Sequence, residues 1–217
     1  MKIIKFFILE LLLFLPLSVL AKGNISLMNT PSEAVKVLTD TIADVVGLMS
    51  SDNGNNNDDI KRKVVDQTVD LFDFNRITAL AVGFPWKNAT LDQKMLLSKE
   101  FRCKLINAYY NVFIHVRDTK VEIKQNPIIK NKRREIIIQS TATSVRSDVG
   151  DPIEIDYFLY KTEQGYKIYN INVQGISLVT TYRGQFSEII QESGVDGLIQ
   201  SLQEENNQLN QSKKKLE

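Results

Sequence analysis

Residues 153–173 read IEIDYFLYKTEQGYKIYNINV. Ile153, Ile155, Tyr157 and Leu159 recur at every second position, as do Tyr169, Ile171 and Val173, which is the period of a strand with one buried face. Between the two runs Glu163-Gln164-Gly165 has the chemistry of a tight turn, so the pair reads as an antiparallel hairpin. Glu154 and Asp156 fall on the face opposite the isoleucines and are expected in water. The alternative for them is a glycosidase-like carboxylate pair.

Working outward, the same period appears in Val121 and Ile123 and again in Ile136 and Ile138. Asn126-Pro127 and Asn131-Lys132 supply the first connection and Asp148 to Pro152 the second. Four antiparallel strands in succession are expected. The cations Lys130, Lys132, Arg133 and Arg134 gather at the first connection, either as a solvated turn or as a docking point for an acidic partner or a lipid headgroup.

On both sides of the strands the period is helical. Thr30-Pro31-Ser32-Glu33 is a capping box with proline in the first turn, followed by an apolar stripe of Ala34, Leu38, Ile42, Val45, Val46 and Met49. Ser51 to Asp59 holds no apolar residue and reads as a surface loop. Ile60, Val64, Thr68 and Leu71 mark a short amphipathic helix. Asp73 can cap another that carries Phe74, Ile77, Leu80 and Ala81 and stops at Gly83. Thr90-Leu91-Asp92-Gln93 repeats the capping pattern and opens the longest helix, with Leu97, Phe101, Leu105, Ala108 and Val112, to about His115. A last helical region starts near Ser177, breaks at Gly194 and resumes with Val195, Leu198, Ile199 and Leu202. Glu204 to Glu217 is polar and expected to fray. The fold class implied is α+β: an antiparallel, strongly twisted sheet of about four strands packed against N-terminal and C-terminal helices.

The inventory excludes much chemistry. With one histidine, His115, and one cysteine, Cys103, a catalytic triad with a spare imidazole, a metal site needing two imidazoles and an internal disulfide are all ruled out. His115 reads as structural and Cys103 as a small buried hydrophobe. No phosphate loop, dinucleotide glycine pattern or calcium loop is present. The formal net charge of +1 argues against nucleic acid as a partner. No cofactor and no catalytic residue is expected.

The chain starts as an exported protein does. Lys2 and Lys5 precede an apolar run from Ile3 to Leu20, and Val19-Leu20-Ala21 offers a small-residue cleavage site. Residues 1–21 are read as a signal peptide with Lys22 first in the mature chain, the rival being an uncleaved anchor. Residues 22–204 then form one domain and 205–217 a polar tail.

Two stretches carry a resemblance. Tyr166 to Phe186, YKIYNINVQGISLVTTYRGQF, is similar to the strand-to-helix motif of the MlaC/toluene-tolerance family of periplasmic phospholipid-binding proteins, W-K-V-Y-D-V-x-I-E-G-V-S-L-V followed by N-Y-R-x-Q-F. Upstream, Phe72-Asp73-Phe74, Ala81-Val82-Gly83, Trp86, Ala89-Thr90 and Gln93 resemble that family's F-D-F…G…W…A-T…Q region. The departures are Tyr166 for tryptophan, Asn170 for aspartate, Gln174 for glutamate and Thr181 for asparagine.

What the resemblance implies is a non-enzymatic carrier in the periplasm. It would bind phospholipid and shuttle it between an outer-membrane lipoprotein complex and an inner-membrane ABC transporter, maintaining outer-membrane lipid asymmetry. The candidate pocket lining, chosen because it combines both apolar faces of the inferred layers, is Phe74, Ile77, Leu80, Leu97 and Phe101 from the helices. From the strands it takes Ile136, Ile138, Ile155, Tyr157, Leu159, Tyr169, Ile171 and Val173. Tyr182 and Arg183 are expected at the pocket entrance or a partner contact. Two readings from other classes stand beside it: an enzyme holding a carboxylate in a cone-shaped α+β pocket, and a periplasmic chaperone or adaptor with no small ligand.

Overall fold

A computed structural model describes residues 28–50, 57–114, 119–144 and 151–214. The stretch read as a signal peptide, His115 and most of the stretch 51–59 read as a loop lie outside the described residues, although Asn57 to Asp59 belong to a helix.

Among the described residues six α-helices and six strands follow in the order α1 (Pro31–Ser50), α2 (Asn57–Thr68), α3 (Phe74–Val82), α4 (Pro85–Asn88), α5 (Leu91–Ile114), β1 (Thr119–Ile123), β2 (Ile128–Lys130), β3 (Glu135–Ser144), β4 (Ile153–Thr162), β5 (Gly165–Val173), β6 (Ile176–Ser177) and α6 (Leu178–Lys214). The fold is α+β, as the periodicity implies. Short-range chemistry sets the helix starts. Thr30 and Glu33 exchange side-chain and main-chain hydrogen bonds. Thr90 and Gln93 do the same at 2.9 and 3.2 Å, and the Asp73 carboxylate accepts from the Arg76 amide at 2.9 Å. Each satisfies main-chain donors that would otherwise be orphaned in the first turn.

The sheet is antiparallel, in the order β1-β3-β4-β5-β6, with β2 pairing the start of β3. Two strands, β2 and β6, go beyond the four expected. They hold three and two residues, too few to show a period. One register change matters more. Leu159 pairs with Ile168 but Phe158 pairs with Asn170, so a β-bulge leaves Tyr169 unpaired. A bulge reverses the alternation beyond it. Ile168 therefore joins the buried face with Leu159, while Tyr169 meets Phe158 edge-on and lies under the Arg76 guanidinium, 4.9 Å from its ring centre. The expectation that Tyr169 shares a face with Ile171 and Val173 is corrected by that one extra residue.

Burial divides into two principal cores. In the first, Ile136, Ile138, Leu159, Tyr166 and Ile168 of the sheet meet Ala34, Val35 and Leu38 of α1. In the second, Ile77 and Ala81 of α3, Leu97, Phe101 and Leu105 of α5, and Val179, Phe186, Leu198 and Leu202 of α6 pack together without a strand. Phe72 is partly buried against both. The main chain of Asp73 joins them, its amide donating to the Ile168 carbonyl at 2.9 Å.

The polar tail does not fray at Glu204. Past a break at Gly194 (φ 71°) the helix continues to Lys214, and Asn206 is buried, its Nδ2 donating to the Glu100 main-chain oxygen at 3.0 Å and its carboxylate at 2.9 Å.

Candidate functional site

A cleft of about 900 Å³ opens where α3, α5 and the β4–β5 turn converge. That volume lies in the range of small-ligand sites. Phe72 and Phe74 form an apolar wall, their ring centres 5.6 Å apart. Ile106 and Cys103 of α5 extend it. Above Phe74 stands the Arg102 guanidinium, 5.4 Å from the ring centre, a cation held over an aromatic face.

The opposite rim is polar. Thr162, Glu163, Gln164 and Lys167 come from the hairpin that the sequence identifies most clearly. Thr162 Oγ1 donates to the Gly165 carbonyl at 2.7 Å and accepts from the Gln164 amide at 3.1 Å, fixing the turn. Gly165, at φ 100°, is required there, because a Cβ would meet the Met28 carbonyl oxygen at 2.9 Å. Lys167 Nζ donates to the Asp70 carbonyl and ties the turn to the segment before α3. Ser98 Oγ donates to Asn75 Oδ1 at 2.7 Å and joins α5 to α3.

Of the thirteen residues expected to line a pocket, only Phe74 faces this cleft. Ile77, Leu97 and Phe101 are packed in the helical core, with Leu80 at its edge. Ile136, Ile138 and Leu159 are packed in the sheet core, with Tyr157 and Ile171 partly buried beside them. Ile155 is half-buried and Val173 is 42% exposed at the far end of the sheet. Ten of the set thus lie in or against the two cores, while Ile155, Tyr169 and Val173 belong to neither.

Tyr182 and Arg183 do not line the cleft either. Tyr182 packs edge-on against Phe101, ring centres 4.8 Å apart. Arg183 donates to the Leu80 carbonyl near the end of α3. Cys103 is half-buried and on the cleft wall, not in a core.

Sequence reasoning missed Arg102, Ile106 and Ser98 because α5 carries two stripes. Leu97, Phe101 and Leu105 give the apolar one. Ser98, Arg102 and Ile106, one residue further on, follow the same spacing with mixed chemistry, a signal available but unused. Among the described residues no group of three potential metal ligands occurs, and no helix is long and apolar enough to cross a membrane.

The junction after the cleft explains one departure from the family pattern. Asn170 Oδ1 accepts from Ser177 Oγ and from the Val179 amide, both at 3.1 Å, capping α6. An amide oxygen fills that role as a carboxylate oxygen would, so aspartate is not needed there.

Helices packed beside an antiparallel sheet, with a cleft of apolar wall and polar rim between them, define an α+β domain with a candidate ligand site. The chain matches the MlaC protein family over residues 36–204, and it belongs to that family. It is also similar to the phospholipid-binding protein of Ralstonia solanacearum, solved in complex with a phospholipid. The two share 31% identity and a TM-score of 0.70 over 82% of this chain and 98% of that one.

Proposed function

We propose that the protein is a periplasmic phospholipid carrier that binds its cargo reversibly and performs no covalent chemistry on it. The observation that carries this reading is the likeness to a lipid-bound structure, joined to a cleft whose apolar wall, Phe72 and Phe74, stands at the seam between the two cores. A seam between separately packed cores parts more easily than either core, since each keeps its own contacts when they separate. Acyl chains entering past Phe74 would replace Phe72 as the link. They would run between the helical side, Ile77, Leu80, Leu97 and Phe101, and the sheet side, while the headgroup stays at the charged rim.

Energetics favour a carrier for such cargo. Each buried CH₂ is worth about 0.8 kcal/mol, so exposing two ordinary chains to water costs on the order of 20 kcal/mol. A pocket removes that barrier. Within this reading, residues 1–21 are a cleaved export signal. The carrier exchanges lipid with an outer-membrane lipoprotein complex and an inner-membrane ABC transporter, supporting the lipid asymmetry of the outer membrane.

The test is lipid extraction and mass spectrometry of the protein purified from the periplasm of an expressing cell. Phospholipid at about one molecule per chain is expected. Protein that emerges empty, and stays empty after incubation with phospholipid vesicles, overturns the reading.

A further inference from the structure

The stretch from Lys124 to Arg134 holds five cations, Lys124, Lys130, Lys132, Arg133 and Arg134, and no acid. In a chain of net charge +1 that is a local excess. Among the described residues Lys130, Lys132, Arg133 and Arg134 form no ion pair. Between them and Lys124, β2 presents Ile128 and Ile129, 44% and 45% exposed. Basic side chains and two exposed aliphatic ones thus share one edge of the sheet.

The backbone adds a second observation. Asn131, Lys132 and Arg133 have φ of 48°, 54° and 69°, three consecutive left-handed residues of which none is glycine. Such residues occur singly as a rule, and strain of this kind persists only where the surroundings enforce it. They do so here. Asn131 Nδ2 donates to the Glu135 carboxylate at 2.7 Å, the Lys161 amide to the Arg134 carbonyl at 2.8 Å, and the Tyr166 hydroxyl to the Arg133 carbonyl. Three hydrogen bonds hold the knuckle, and its charged residues are exposed.

Its position is the third observation. Lys161 and Tyr166, which pin the knuckle, flank the turn whose Thr162, Glu163, Gln164 and Lys167 line the cleft. Basic knuckle and cleft rim share one end of the sheet.

We propose that this knuckle docks the cleft end of the protein onto the surface of a negatively charged phospholipid bilayer. The cations of Lys130, Lys132, Arg133 and Arg134 meet lipid phosphates, while the edge strand β2, with Ile128 on one face and Ile129 on the other, enters edge-on at the boundary between headgroups and acyl chains. The proposal rests on the carrier reading, which gives a reason for a membrane contact beside a lipid cleft. An acidic protein fits less well. A three-residue edge strand offers little for strand addition, and long exposed stems suit a diffuse phosphate layer better than fixed carboxylates.

Co-sedimentation of the exported protein, purified from the periplasm of an expressing cell, with vesicles tests it. The vesicles are pure phosphatidylglycerol or pure phosphatidylcholine, at low salt and at about 0.5 M salt, where screening is nearly complete over a few ångströms. Binding to phosphatidylglycerol is expected at low salt, with loss in high salt and on phosphatidylcholine. Lys130→Glu with Arg134→Glu should weaken binding by about a hundredfold or more. Ile128→Ser with Ile129→Ser should weaken it several-fold and leave a steeper salt dependence. Lys132→Gly, which removes a charge and suits the left-handed backbone, should weaken binding while raising the melting temperature, so that lost folding cannot imitate lost docking. Wild-type protein that ignores phosphatidylglycerol overturns the proposal and leaves the patch to an acidic protein. So do variants that bind as wild type does. Bound phospholipid is assayed in the same preparations. Loss of vesicle binding with cargo retained supports the knuckle, whereas protein that docks yet never holds lipid sinks the carrier reading.

Discussion

Arg183 grips the main-chain oxygen of Leu80 through two hydrogen bonds, 2.8 Å from Nε and 2.6 Å from Nη2. The two residues are 103 positions apart, and the contact fastens the start of α6 to the end of α3, where carbonyls lack helical partners and the dipole is negative. A charge-assisted pair of this kind positions two helices. Arg183→Gln should cost about 1–2 kcal/mol in urea unfolding, and Arg183→Glu more, because a carboxylate repels the same carbonyl. Normal lipid transfer by a destabilised Arg183→Glu would assign the residue to the scaffold; slowed transfer at full stability would assign it to a gate.

The second prediction concerns the end of α6. Asn206 is buried against Glu100, itself nearly out of solvent, with Lys99 Nζ 3.3 Å from the other carboxylate oxygen. Removing the amide leaves an acceptor with fewer partners in a place water barely reaches. Asn206→Ala should lower stability by about 1–3 kcal/mol, and a chain stopped after Glu204 should lose at least as much. An unchanged urea midpoint for the truncated chain would show that α6 contributes nothing beyond Glu204.

These contacts show where the sequence is legible and where it is not. Caps are local: Thr30 with Glu33, Asp73 with Arg76, and Thr90 with Gln93 are complete within four residues, and each reads correctly. The break at Gly194 is visible for the same reason. The bulge that turns Tyr169 away from Ile171 is a single extra residue, and no periodicity reveals which strand accommodates it. Asn206 looks like tail because its partner lies 106 positions away. The cleft is hidden by α5, whose apolar stripe points to the helical core while Arg102 and Ile106 serve the other side.

Alkaline pH should act through Tyr157. Burial raises its phenol above the ordinary value of about 10, and a hydrogen bond with Ser140 offsets that only in part. A raised folded value leaves the contribution to stability intact below about pH 10. It is lost as pH rises from there through the folded value, because the unfolded chain releases its proton first. Tyr166 and Tyr169 are shifted in the same direction by burial, so the alkaline limb is shared. Tyr157→Phe should flatten it measurably in unfolding experiments between about pH 9 and 11, and a limb of unchanged slope would count against the assignment.

The candidate cleft and the cores should respond differently to substitution. Phe101 has no exposed surface and lies among Leu97, Tyr182 and Phe186. Truncating it to alanine should cost about 3–5 kcal/mol through lost burial and the cavity left behind. Phe74 instead keeps one side on the cleft, under Arg102, so Phe74→Asp should cost far less stability than Phe101→Ala. Its effect on cargo should be the reverse. A carboxylate at the mouth faces acyl chains that cannot solvate it, and the chains must pass it to reach the seam. Mass spectrometry of folded Phe74→Asp protein should therefore find bound phospholipid reduced at least about tenfold, equivalent to about 1.4 kcal/mol of binding. In Phe101→Ala, which loses one of several apolar walls of the seam but introduces no charge, the folded fraction should keep most of its cargo. If folded Phe74→Asp protein carries wild-type amounts of lipid, the tails do not enter through this cleft and the seam must open elsewhere.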